Sequence, residues 1–307
     1  MLQMTASGNS RIFDIAPWIR AMCCGAPLQI EKTHFFAFFE KAEIRCLGCG
    51  KPIELWKTSL REITENFMFN QAFSLVSART TVFSLWLKPS QSAQYTLSDY
   101  GVPEDAKILY VNYTPCGNLW PIELHGNVPT MRGSRQTMHL WPVPPRNGDV
   151  PKDTEVSVMV TWVPHSQFDD SWKNLVAAFE AYASSDYQSS IVPANVAVES
   201  TLGITLNGYL SQFVSRERID TFLKDAATYS HQLNVLVPVI AKLTGVTELD
   251  AHIRGLLNTL RDMRNKVAHH GSLEKPLEKE RCAELLCASV FGFQYTLYLR
   301  TKLGLAT

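Results

Sequence analysis

Arg264, Asn265 and His269 fall in the run Leu260-Arg261-Asp262-Met263-Arg264-Asn265-Lys266-Val267-Ala268-His269-His270-Gly271, and their types suit one reaction. Cleavage of RNA by its own 2′-hydroxyl needs a base that titrates near neutral pH and a fixed cation beside the phosphorane, with no metal. The imidazole of His269 suits the first role and the guanidinium of Arg264 the second. Asn265, one helical turn before His269, is placed to orient the imidazole or to contact phosphate. Arg254, Arg261 and Lys266 on the same segment are the candidates for holding RNA phosphates. A solvated helix face accounts for the same residues, with His269 favoured by the dipole at a helix C-terminus and Gly271 as the stop.

A second group offers metal chemistry. Cys46-Leu47-Gly48-Cys49-Gly50 has the form of a zinc knuckle, in which two thiolates are aimed at one ion and the glycine relieves the turn. The rest of a tetrahedron has to come from Cys23-Cys24-Gly25, with His34 as a spare nitrogen donor. Adjacent cysteines in extended backbone point apart, so the first knuckle is degenerate. Structural zinc on Cys23, Cys24, Cys46 and Cys49 is the expectation, against the plainer reading of reduced cysteines packed with Phe35, Phe36, Phe38 and Phe39. No His-Glu pair beside them suggests catalytic zinc, and cleavage by Arg264 and His269 calls for no cofactor. Cys282 and Cys287 read as core.

The elements that must carry these groups divide by composition. Ten of the sixteen prolines lie between Pro89 and Pro164, where short β-rich runs alternate with turn chemistry: 80–87, 107–113, 119–125, 136–141 and 155–163. In the last run Val156, Val158, Val160 and Trp162 share one face, against Glu155, Ser157 and Thr161. Trp86 sits in an apolar run and reads as core. Beyond residue 165 the period turns helical. Trp172, Leu175, Val176, Phe179 and Tyr182 form one stripe, and further helices are expected over 192–214, 217–243, from Thr247 to Gly271, and from Pro276 towards Leu303. Pro238 is expected to kink or end the third of these five. On the fourth, Leu256, Leu260, Met263 and Val267 mark the core side, with Arg254, Asn258, Arg261, Asn265 and His269 opposite.

The fold expected is therefore an α+β multidomain chain: a cysteine-rich module over 1–70, an antiparallel β-sandwich-like domain for recognition or regulation over 71–165, and an antiparallel α-helical bundle over 166–307. The chain reads without an internal repeat or low-complexity tract. Its 307 residues suffice for core-driven folding without disulfide staples. Seven cysteines are an odd count unsuited to a disulfide framework. No run approaches the roughly 18–20 apolar residues of a membrane span. Ser10, Arg11, Asp14 and Arg20 break up any export signal, so a cytoplasmic protein with no membrane partner is expected. With 29 basic against 29 acidic residues the chain is not a basic coat for nucleic acid. The segment 251–307 nevertheless holds nine Lys and Arg against five Asp and Glu, a local surplus beside Arg264.

The Arg264-Asn265-x3-His269 pattern, with its preceding Leu-x-x-Leu-Arg run and a setting late in a bundle of about five helices, resembles the HEPN superfamily over about residues 166–307. The resemblance implies a metal-independent endoribonuclease of toxin, abortive-infection or antiviral systems, with Arg264, Asn265 and His269 as active positions and two copies facing each other in a homodimer through the helical domain. A regulatory or antitoxin protein is an expected partner besides RNA. Because some members of that superfamily are inactive, the alternative is a bundle that binds RNA or nucleotide, or only dimerises, with the β domain as ligand sensor.

Overall fold

The computed structural model describes residues 13–15, 18–65, 79–88, 93–116, 136–140, 153–163 and 170–305. Its contacts group the chain differently from its linear order: residues 1–17 and 77–168 make one compact unit, and residues 18–76 and 169–307 the other. The strand expected over 119–125, with Trp120 and Trp141, lies outside the described residues.

The first unit is antiparallel β. A four-stranded sheet has the order β1 (Phe13–Ile15), β4 (Arg79–Leu87), β8 (Thr154–Val163), β6 (Lys107–Cys116), and β5 (Ala93–Thr96) pairs with β7 (Thr137–Leu140) in a second. Side chains from both sheets enter one buried cluster that includes Phe83, Leu85, Tyr95, Met138, Leu140, Val158 and Val160. The alternation of β8 puts Val156, Val158, Val160 and Trp162 inside, as its period of two requires. Thr161, expected on the polar face, is buried too, and its hydroxyl lies 3.2 Å from that of Thr80 across the β4–β8 pair. Trp86 is 62% exposed rather than core. It points to the opposite face from Leu85 and Leu87, which are buried, because neighbours along a strand alternate.

The second unit is built around one helix. It holds the hairpin β2 (Trp18–Arg20) and β3 (Pro27–Gln29), then α1 (Lys32–Phe39) and α2 (Leu55–Glu65). After the β unit follow α3 (Asp170–Ala183), α4 (Tyr187–Leu210), α5 (Arg216–Thr221), α6 (Tyr229–His231), α7 (Val237–Thr244), α8 (Ala251–His270) and α9 (Lys279–Lys302). The last of these is apolar on all sides, as a fully enclosed helix must be. It meets α1, α2, α3, α4 and α8. Among the described residues it is the helix long and apolar enough to cross a membrane by length and composition, and 89% of that window is buried in the fold.

The four phenylalanines of α1 belong to this centre. Phe35 and Phe38 stand edge-on to Phe291 at 5.1 and 5.0 Å, Phe39 to Tyr295 at 5.2 Å and Phe36 to Tyr298 at 5.2 Å. The segment read as a cysteine-rich module thus gives its apolar face to the bundle. Cys282 and Cys287 are buried in α9 as expected.

The helix expected over 217–243 is broken. α5 runs into a π-helical turn at 222–226, the chain bends at Ala227 and Thr228, and a second π-helical turn at 232–236 leads into α7. Pro238 stands in the first turn of α7. Lacking an N–H, proline suits a helix start and disrupts the ladder before it.

Candidate functional site

Helix α8 positions Arg264, Asn265 and His269. Its N-cap is Asp250, whose carboxylate accepts from the backbone N–H of His252 and Ile253 at 2.8 and 3.4 Å, and not Thr247. It stops at Gly271, in the left-handed region with φ 75°, whose N–H returns to Val267 at 2.8 Å. Ile253, Leu256, Leu257 and Leu260 bury one face. Met263 and Val267, expected to continue it, are only half-buried, so the last two turns of the helix stand proud of the core.

The stripe opposite the core differs from the expected one. The exposed line runs through Gly255, Asp262, Lys266 and His269, whereas Arg254, Asn258, Arg261 and Asn265 flank it half-buried. For Asn258 the neighbour is the broken helix region. Asn258 and Asn234 exchange two amide hydrogen bonds at 2.9 and 3.0 Å. A helix drawn alone shows only its core side, and neighbours on two sides claim the flanks.

Arg264 sits in a polar cluster with α4. Its Nη1 donates to Asn265 Oδ1 at 3.0 Å, and its Nη2 lies 3.9 Å from Glu199 Oε2. The same carboxylate oxygen accepts from Asn195, fully buried one turn earlier, at 3.0 Å. Tyr229 faces this cluster, and burial, then the Glu199 charge, push its hydroxyl well above the usual tyrosine range. Asn265 therefore steadies the arginine rather than the imidazole. His269 is exposed in the last turn. It lies five positions after Arg264, which on an ideal helix is about 140° and ~7.5 Å along the axis. Within one chain the two groups diverge.

Most cations of α8 have an acid nearby. Arg254 is 3.9 Å from Glu248, and Arg261 holds Asp262 at 2.6 Å. Lys266 has no acidic partner among the described residues. The local basic surplus is weaker at this surface than composition suggests. A cleft lined in part by Ile44, Ile53, Trp56, Leu249, Asp250 and Arg254 lies at the opposite end of α8, and Arg264 and His269 are not part of it.

The cysteines do come together. The sulfur atoms of Cys23, Cys24, Cys46 and Cys49 all lie within 4.8 Å of one another and can hold a metal ion. Cys49 is 3.4 Å from Cys23, Cys24 is 3.5 Å from Cys46, and the adjacent pair Cys23 and Cys24 is 3.9 Å apart. The objection to neighbouring ligands fails because residues 22–24 form a tight turn rather than extended chain. His34 takes no part: its Nδ1 accepts the Glu31 N–H at 3.1 Å in the capping box of α1. Backbone N–H groups of Cys49 and Gly48 point at the Cys46 sulfur and lower its pKa to about 7, while hydrogen bonding to Cys49 and burial raise Cys23 to about 12.

No family model, curated protein or solved structure matches the chain.

Proposed function

We propose that the protein is a metal-independent endoribonuclease of HEPN type that cuts RNA by 2′-hydroxyl attack. What supports the reading is the end of α8, where Arg264, Asn265 and His269 occupy two turns that extend beyond the buried core. The guanidinium of Arg264 donates to Asn265 and lies 3.9 Å from Glu199, and the imidazole of His269 is open to substrate.

In this mechanism a histidine takes the proton from the 2′-hydroxyl, the 2′-oxygen bonds to phosphorus, and the bond to the 5′-oxygen breaks as that oxygen is protonated. The products are a 2′,3′-cyclic phosphate and a 5′-hydroxyl. Arg264 binds the phosphate and stabilises the charge that builds on it. Because Arg264 and His269 diverge on one helix, a pair of helices from two copies is the economical way to surround one phosphate. The reading includes a homodimer through the helical unit, a setting in phage defence or a toxin system, and zinc held structurally by the four cysteines, apart from the cleavage.

The test is incubation of purified protein with mixed RNA in EDTA. Cleavage to cyclic-phosphate ends is expected, falling by about 10²–10⁴ in His269→Ala, the usual weight of general acid–base catalysis. Equal cleavage by the wild type and this variant would overturn the reading.

The hydrogen bond that holds Arg264 on Asn265, with no such partner for His269 among the described residues, also fits a site that holds a phosphate without cutting. Binding without cleavage in the same assay would select that second function.

A further inference from the structure

Residues 19–29 and 44–54 are two copies of one turn. Ile19-Arg20-Ala21-Met22-Cys23-Cys24-Gly25-Ala26-Pro27-Leu28-Gln29 aligns without a gap on Ile44-Arg45-Cys46-Leu47-Gly48-Cys49-Gly50-Lys51-Pro52-Ile53-Glu54. The isoleucine, arginine, second cysteine, glycine and proline are identical, and Leu/Ile and Gln/Glu follow. The chain therefore does contain an internal repeat, short enough to hide among unlike spacings of cysteine.

The backbone obeys the same alignment. Gly25 N–H bonds to Ala21 O at 2.8 Å, and Gly50 N–H to Cys46 O at 2.8 Å. Ala21 N–H bonds to Ala26 O at 2.9 Å, and Cys46 N–H to Lys51 O at 2.9 Å. Both glycines have φ +72°, a conformation that L side chains rarely adopt. Arg20 pairs with Pro27 across the β2–β3 hairpin, and Arg45 bridges Pro52 in the second copy. The tips, Met22 and Leu47, are both exposed.

The copies differ where the ligands are. Cys24 and Cys49 are equivalent, but the counterpart of Cys46 is Ala21, which has no thiol. The counterpart of Cys23 is Gly48. A Cβ at position 48 would lie 2.7 Å from Ala26 Cβ and 3.4 Å from Cys24 Sγ, so the missing side chain there is what lets the two turns close on each other.

We propose that Cys23, Cys24, Cys46 and Cys49 coordinate one zinc ion, and that Cys23 supplies the ligand a second regular knuckle would have carried at position 21. Four thiolates at a Zn–S distance of about 2.3 Å define a tetrahedron with edges of about 3.8 Å. Three of the six sulfur separations, 3.4, 3.5 and 3.9 Å, match that size, and all six lie within 4.8 Å. Four protein ligands leave no open position, so the site is structural. The ion ties two antiparallel ladder ends together. One of them is held to α2, where Glu62 accepts from Arg20 N–H at 3.3 Å and Arg61 donates to Arg20 O at 2.5 Å.

The inference does not depend on ribonuclease activity, and its test reads metal alone. Elemental analysis of the full-length protein purified without chelator is expected to find about one zinc per chain. Exchange with cobalt(II) is expected to produce the thiolate charge-transfer and visible bands of a tetrahedral four-sulfur site. Cys49→Ser and Cys23→Ser should each lose the four-sulfur spectrum, and the double variant Ala21→Cys/Cys23→Gly should recover it. Zinc far below one per chain with no cobalt spectrum, or iron in its place, would overturn the zinc assignment even if every cysteine variant failed to fold. A Cys23→Ser protein with an unchanged spectrum, or a double variant that does not bind, would overturn the role given to Cys23.

Discussion

At the scale of single residues, the partners of a charged group decide its use more than its position in a motif. Asn265 follows Arg264 directly, and from spacing alone it suits His269 a turn away equally well. In the fold its amide oxygen goes to the Arg264 guanidinium. Glu199, distant in sequence, competes for the same guanidinium at 3.9 Å, with both side chains about one-third exposed. An ion pair so open to water contributes about 0–1 kcal/mol. Glu199→Gln is therefore expected to leave stability within about 1 kcal/mol of wild type and, if the protein acts on RNA as proposed, to tighten RNA binding by about threefold at low salt. Arg264→Ala should weaken it, and fluorescence anisotropy with a labelled RNA measures both. Weaker binding by Glu199→Gln would show that the carboxylate positions Arg264 for RNA rather than holding it back.

At the scale of elements, local signals and crowding had separate effects. The stop at Gly271 and the single stripe of α3 follow from residue type and a period of 3.6, and both were legible. The broken 217–243 segment was not, because a proline marks a disturbed ladder without saying whether the chain kinks or restarts. Crowding is plainest at Gly292 in α9. A Cβ there would meet Leu257 of α8 at 2.9 Å and Val198 of α4 at 3.1 Å, so glycine lets three helices approach at one level. Gly292→Val is expected to cost about 1–3 kcal/mol, the usual penalty for overfilling a packed core. Urea unfolding followed by the helical signal measures it. An unchanged midpoint would mean that the three helices part at little cost.

At the scale of the whole molecule, the two units differ in the metal they could bind and share a sensitivity to alkali. The four cysteines lie in the unit of residues 18–76 and 169–307, so with zinc bound as proposed, chelation should act there. Both units carry an alkaline limit, because burial raises Tyr182, Tyr229 and Tyr295 in the helical unit as well as Tyr95 in the β unit. Burial, and then the neighbouring Tyr100, push the Tyr95 hydroxyl up to about 12 from the ordinary 10. In the unfolded chain this tyrosine ionises first. Its contribution to stability is therefore complete below about pH 10 and is lost as the pH rises from 10 towards 12. Tyr95→Phe, which keeps the ring, should flatten the fall in stability between pH 9.5 and about 11.5, read from denaturant midpoints at each pH. The same slope in both proteins would place the alkaline limit elsewhere.

What the sequence by itself determined is what nearest neighbours and short periods encode: the buried face of β8, the apolar course of α9, the end of α8 at a glycine, and a cysteine pattern of metal-binding type. The 11-residue repeat, its copies 25 positions apart, was also present in it, hidden because one thiol had moved two places. Tertiary structure alone decided that adjacent Cys23 and Cys24 reach one centre, that the phenylalanines of α1 pack on α9, that Trp86 faces out, and that most α8 cations stand beside acids. These outcomes depend on which surfaces far apart in the chain come into contact. Hydrophobic burial and charge pairing act through space, and no local period records them.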